Sequence, residues 1–571
     1  MTSKLNSVEL YFYFSLWIFA NVFSLFKLFQ VQSELFGGNE KPKWPDLVDG
    51  WSFLSRHRDV SDLEWSCWKF FFQRSWYYLI LQFLISETVR TFNIQYLKYW
   101  YIFSSFIYMV AYTSIKQITL LVFQPIIYLA VIFYGGGKTI LWTLSIGLLF
   151  WFNVMKYKNF FWDIFDAEHF YDEEIYLTLV CTSWIELRCI SFCIDYIDMK
   201  HELKLPKIQV VINMLSYIFY LPLMHTGPIV LYENFEKSLH VKRNDVTMRL
   251  KRFIWDIILF TMYTFLLDLA FHYIYFYAMQ HEIEPYYNWM ASKAITDMPT
   301  MALCGGGLWM GLEFHMKYVI LYGTTSAFAR LDHIEAPPNP RCIARVHVYS
   351  HMWRYFDVGL YKFLIKYIYK PSLSIIPKYI SLPGTILKLT ASFFTFIFIF
   401  FWHGTVWDIF VWSALNFIGI TLEQLGKSAA NTETYKWFKK EVLRTDEMET
   451  RFLAMACTPL LIMSAISNFY LFAGSKVANI FFACFLQPSS WNSVIVTLAM
   501  YSCCHVSIAL QNVHSRTYVD YDNANLKPEK LNNKVSENSI LKHEKFSKKL
   551  KSENLNGKPE KLSKKPSNKS I

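Results

Sequence analysis

No two of the ten cysteines form a C-x-x-C pair, and they are scattered through apolar surroundings rather than spaced as a framework. A disulfide scaffold and a structural zinc site are therefore excluded as organising devices. No Ser or Cys nucleophile elbow is present, which argues against a covalent acyl-enzyme. No inverted repeat is visible, which removes the main support for a transporter. The N-terminal apolar stretch from Val8 to about Leu28 lacks a clear small-x-small cleavage site and is long for a signal peptide, so a retained first span is expected. Charge is scarce too: 18% of residues are charged, against 54% hydrophobic and 19% aromatic. That profile lies far outside the soluble globular range and describes an all-α polytopic membrane protein.

The formal charge of +11 over 571 residues is mostly terminal. From Tyr521 to Ile571 there are thirteen Lys against six Asp plus Glu, a local +7, with Phe546 the one aromatic after Tyr521. Such a segment buries no core, so residues 519–571 are expected to be a disordered tail drawn to anionic cytosolic lipid, and residues 1–518 a single membrane domain. No nucleic-acid partner is expected, and the protein is expected to be a monomer in contact with membrane lipids. The apolar pattern predicts a bundle of about ten to twelve membrane-associated helices. Spans near Tyr99–Thr113, Ile118–Phe133 and Thr139–Val154 are short against the roughly 20 residues of a perpendicular crossing, so tilted or re-entrant segments are expected. Ser61-x-x-Glu64 reads as a capping box opening a helix. The acidic and aromatic connection Lys156–Glu174 suits a membrane-surface lid or a solvated face. In LPLMHTGPIVLYENF, Pro222, Gly227 and Pro228 predict a broken helix, which persists at membrane depth only where it lines protein or a cavity; His225 there reads as structural or as a pocket group. Lys237 to Arg252 is basic and is placed on the cytosolic side.

Two stretches carry the candidate chemistry. Leu389 to Trp402 contains no charged residue, and only Thr390, Ser392 and Thr395 are polar; the run ends at His403. An imidazole there is costly unless it faces a polar cavity or a partner, and it exchanges protons near neutrality. The alternative is a histidine at the bilayer surface that satisfies a carbonyl. Between Arg330 and Pro371 the chain is too charged to span and too aromatic to be disordered. Arg330, Arg341, Arg345, Arg354, Lys362, Lys366 and Lys370 could hold an anionic head group, of a lipid or of a nucleotide-bearing acyl carrier. Asp357 is the odd acid among them, either an ion pair with Arg354 or a working carboxylate. The 46 residues between Asp357 and His403 suffice for a hairpin that puts both in one cavity.

MWRYFDVGLYKFLIKYIY, FWHGTVWDIFVWSALNFIGITLE and LLIMSAISNFYLF together resemble the Hedgehog-acyltransferase branch of the membrane-bound O-acyltransferase (MBOAT) superfamily. The similarity is dense from about Arg341 to His505 and extends through WSFLSRHRDVSDLEW and the HTGP segment. The resemblance implies an MBOAT-like bundle around a central tunnel in the endoplasmic reticulum membrane, or the Golgi. Palmitoyl-CoA would approach from the cytosol, the side of the tail, and the N-terminal cysteine of a secreted Hedgehog-type signalling protein from the lumen. It implies His403 and Asp357 as catalytic, Trp353 and Arg354 as chamber-lining, and Asn468 as a contact to the acyl thioester, although Asn468 could equally make a helix-to-helix hydrogen bond. Cys342 matches a cysteine associated with haem ligation or acylation; beside Arg341 and Arg345 it suits a thiolate. The implied reaction is amide formation from a thioester and an α-amine. The competing readings are an MBOAT enzyme acting on a lysophospholipid or another secreted peptide, and a non-catalytic membrane scaffold.

Overall fold

The computed structural model describes residues 5–36, 45–157, 172–199, 205–240, 245–281, 292–486 and 491–511. The tail 519–571, most of the Lys156–Glu174 connection and most of the MQHEIEPYYNWMASKAI segment lie outside them. Among the described residues nine helices are long and apolar enough to cross a membrane. The one sheet described is a two-stranded antiparallel pair, Leu47–Asp49 with His57–Asp59. The chain is thus all-α, as its apolar runs require. Hydrocarbon offers the backbone no hydrogen bonds, so each crossing segment must satisfy its own amides.

Several helices exceed the lengths that hydropathy predicts. The crossing expected near Thr139–Val154 is Lys138–Tyr157, and two other helices run longer still, Asp172–Met199 and Thr300–Leu331. Polar side chains that hydropathy counts as costs are satisfied inside the bundle. The Asp172–Met199 helix shows how: every residue from Trp184 to Asp195 is buried. A helix apolar or satisfied all round belongs at the centre. Glu186 on it accepts from Tyr128 Oη at 2.5 Å, Ser145 Oγ at 2.6 Å and Gln124 Nε2 at 3.1 Å. By contrast Ser7–Phe36 and Val246–Ala270 are only 11% buried over their apolar windows and present their sides to lipid. Ser7–Phe36 packs closely on Thr300–Leu331, where Gly305 lies against the Ser24 carbonyl with no room for a Cβ.

The helix start expected at Ser61 is present, but the cap is a simple one made by the next residue and not a capping box. Asp62 is the N-cap of Leu63–Phe92 and accepts from the Trp65 amide at 3.0 Å. Ser61 Oγ is taken by Asp59 and Glu64 by Lys317, so neither is free to close the box. The broken helix is present: Lys207–Ile218 stops, a single turn Leu221–Met224 follows, and 225–231 continue without helix. Its freed carbonyls are met one by one. Arg188 donates to Ile218 O at 2.9 Å and to Leu223 O, Ser105 Oγ to Phe219 O, Thr325 Oγ1 to Gly227 O at 2.9 Å, and Tyr217 Oη to Val230 O at 2.6 Å. His225 is buried against Phe71 and Tyr108.

Candidate active site

The Gly384–His403 helix ends on its histidine because the next residue, Gly404, has φ 144°, a conformation that favours glycine. The chain then reverses into Trp407–Ala429. Asn153 clamps this turn from another helix: its Nδ2 donates to Phe401 O at 2.9 Å and its Oδ1 accepts from the Thr405 amide at 3.1 Å. Trp402 Nε1 donates to Ser183 O at 3.1 Å, which fixes the wall beside the histidine. The His403 ring stands edge-on to Trp402 and Trp412, with centroids 4.7 and 4.9 Å away.

Asp357 is the N-cap of the short helix Val358–Leu364. Its Oδ1 accepts from the Leu360 amide at 2.8 Å and its Oδ2 from Tyr322 Oη at 2.9 Å. Two residues on, Gly359 lies against the Ile229 carbonyl, so the broken segment 225–231 supports this turn from behind. Burial holds the Asp357 carboxyl above the usual range, opposed by those two hydrogen bonds. The ion pair with Arg354 is not what holds it. Arg354 is exposed and lies over Tyr355 and Tyr361, 6.0 and 5.7 Å from their centroids. A guanidinium stacked on two rings at the surface does not reach the carboxylate at the other end of the turn.

Asp357 and His403 both line one cavity of about 280 Å³. Trp353 and Asn468 line it as well; Arg354 does not, a correction to the expected chamber-lining set. Trp353 Nε1 donates to Asn416 Oδ1 at 3.1 Å, and Trp412 Nε1 to Asn468 Oδ1 at 3.3 Å. Asn468 therefore makes its helix-to-helix bond and still borders the cavity. The wall is otherwise largely aromatic, with Trp68, Trp184 and Phe472 among its members. Residues that the sequence did not single out complete the polar part: Tyr322 on Asp357, Thr226 from the broken segment, and Glu64 with Tyr318. Only the E of the S-x-x-E pattern pointed at Glu64, and it pointed to a cap.

Among the seven cations from Arg330 to Lys370, Arg330 and Lys366 make ion pairs. Arg330 pairs with Asp256 at 3.2 Å, and Lys366 with Asp195 at 2.9 Å and Glu233 at 2.8 Å. Cys342 lies outside the cavity wall. Among the described residues no group of three or more His, Cys, Asp or Glu could hold a metal ion. A haem needs a flat apolar slot beside its thiolate, and the cavity does not reach Cys342, so these residues do not fit haem.

A largely aromatic chamber that holds an imidazole and a helix-capping carboxylate suits transfer of an acyl group between two positioned substrates. The model of the membrane-bound O-acyltransferase family matches residues 127–445, which include both groups. The chain belongs to the membrane-bound O-acyltransferase family. This acyltransferase is 28% identical over 482 residues to "Protein-cysteine N-palmitoyltransferase Rasp" of Drosophila melanogaster, an alignment covering 84% of this chain and 90% of the relative. It is 28% identical over 299 residues to "Protein-cysteine N-palmitoyltransferase HHAT" of Mus musculus, covering 52% of this chain and 56% of the relative. The mouse "HHAT-like protein" is 24% identical over 398 residues, covering 68% and 72%.

Proposed function

We propose that this acyltransferase moves a palmitoyl group from palmitoyl-CoA to the N-terminal cysteine of a secreted Hedgehog-type signalling protein, forming an amide, in the endoplasmic reticulum membrane with its tail in the cytosol. The observation that carries the reading is that Asp357 and His403 line one cavity, and the similarity to two N-palmitoyltransferases supports it. An α-amine has a reference pKa of about 7.7 to 8.0 and needs little activation to be nucleophilic. Most of the catalysis then comes from holding amine and thioester together in a water-poor chamber, where effective molarity lowers the barrier by up to roughly 7–11 kcal/mol. Of His403 and Asp357, one takes the proton from the attacking amine and the other orients it or polarises the thioester carbonyl. Trp353 and Asn468 border the acyl end, and the basic segment from Arg330 to Lys370 suits the donor's phosphates.

The test is a substrate panel on membranes holding the protein. A Hedgehog-type N-terminal cysteine peptide is expected to be palmitoylated, while its N-acetylated form and a lysophospholipid are not. His403→Ala and Asp357→Ala are each expected to lower the rate at least about 100-fold, the lower end of what a positioned acid or base contributes. Parental rates in both variants, or equal acylation of the acetylated peptide, would overturn the assignment.

A further inference from the structure

The cavity has a second carboxylate that the reaction above does not use. Glu64 lines it beside Tyr318 and Tyr322, and its side chain keeps 26% of its surface accessible. Its Oε1 accepts from Tyr318 Oη at 2.6 Å and its Oε2 faces Lys317 Nζ at 2.9 Å. The Lys317 ammonium is buried and shared: Asp62 Oδ2 is 2.6 Å away and Glu313 Oε1 3.6 Å. Glu313 is fully buried, and its Oε1 has no hydrogen-bond donor. Tyr277 donates to its other oxygen at 3.1 Å. From its own helix and its N-cap Glu64 is faced by Cys67 and Asp62, and from the Asp172–Met199 helix by Tyr176, with Glu173 three residues before it. Three carboxyl groups thus surround one ammonium, and the other cation that acts on them, Lys69, is paired with Asp268 at 3.3 Å.

Such a cluster is short of positive charge, and Glu64 is its member that reaches the cavity. We propose that Glu64 receives the acceptor's protonated α-amine and takes its first proton, with Lys317 acting as a positioning residue that fixes the carboxylate. This rests on the amine-acceptor reading above. The step balances as follows. The ammonium gives one proton to the Glu64 carboxylate and becomes a neutral amine. Its lone pair forms the C–N bond at the thioester carbonyl, the C–S bond breaks with its electron pair leaving on sulfur, and the second amine proton passes through the Asp357 and His403 pair to the thiolate. The products are the amide, the carrier thiol and a protonated Glu64. Acceptors without a cationic end, such as a serine hydroxyl, gain nothing from this site.

Glu64→Gln keeps the shape and removes the charge. Two measurements on the full-length protein in detergent decide the matter. In the first, binding of an N-terminal cysteine peptide is compared with that of its N-acetylated form. The parental protein is expected to favour the free amine about 10-fold or more, as a charge-assisted hydrogen bond gives, and Glu64→Gln to lose that preference. In the second, the peptide KM of Glu64→Gln is expected to rise about 10-fold below about pH 7.7, where the amine is cationic, and to approach the parental value well above it, with the palmitoyl-CoA KM unchanged. Should Glu64→Gln not accumulate, Glu64→Asp replaces it and is expected to retain the free-amine preference. Equal parental binding of both peptides, or a KM ratio independent of pH, overturns the role of Glu64. Absence of any acylation of the free-amine peptide by the parental protein overturns the acceptor reading itself, whichever way the binding comparison falls.

Discussion

Tyr322→Phe isolates the contact that holds Asp357 at work. The phenol donates to Asp357 Oδ2 at 2.9 Å, and the ring packs on Tyr318 and Trp184 with centroids 5.2 and 6.4 Å away. Phenylalanine keeps both ring contacts and removes one donor. A hydrogen bond to a charged group contributes about 1.5–3 kcal/mol, so kcat is expected to fall roughly 10- to 150-fold while the palmitoyl-CoA KM holds. The pH dependence gives the sharper test. Burial already raises the Asp357 carboxyl, and the Tyr322 hydroxyl is one of the groups that bring it down. Losing that hydroxyl leaves the acid form in place to higher pH, so the acid limb of kcat is expected to move to higher pH. Steady-state palmitoylation of an N-terminal cysteine peptide, followed across the acid limb for the parental and Tyr322→Phe proteins, measures both effects. A lower rate with an unmoved limb would show that the hydroxyl acts without shifting the titration of Asp357. An unchanged rate and limb would remove Asp357 from the proton pathway altogether.

Three further outcomes are expected. Arg90→Met removes a buried guanidinium that donates to Asp332 Oδ1, Asp332 O and Tyr101 Oη, each at 2.7 Å; the uncompensated Asp332 should cost about 3–5 kcal/mol, read as a lower unfolding temperature in detergent. Gly305→Val pushes a side chain into the Ser24 backbone, and overpacking of about 1–3 kcal/mol should appear as earlier loss of the monodisperse peak after heating. Trp412→Phe deprives Asn468 of its 3.3 Å donor while keeping an aromatic ring beside His403, so kcat/KM should fall about 2- to 10-fold with stability little changed.

The proposed catalytic pair is legible in the chain for opposite reasons. His403 ends a charge-free run in which any imidazole demands an explanation, and Asp357 is an acid among seven cations. Their supports are not legible. Tyr322 lies 35 residues from Asp357, Asn153 lies 252 from the Thr405 amide that it holds, and Lys317 lies 255 from Asp62. None of these spacings has a periodic signature. The same cause explains the boundaries: Glu313 and Lys317 fall inside Thr300–Leu331, where hydropathy treats them as costs and tertiary pairing makes them tolerable. Arg354 went the other way, because a cation beside a catalytic acid invites a pairing that its stacked, exposed position does not make.

Amino-acid order alone determined that this chain is helical and embedded in lipid, since a backbone in hydrocarbon must bond to itself and apolar runs of sufficient length leave it no other form. Tertiary structure alone decided which polar side chains share a chamber. Burial makes an unmatched charge far more costly than any local preference, so each acid, amide and ring settled on the distant partner that could satisfy it.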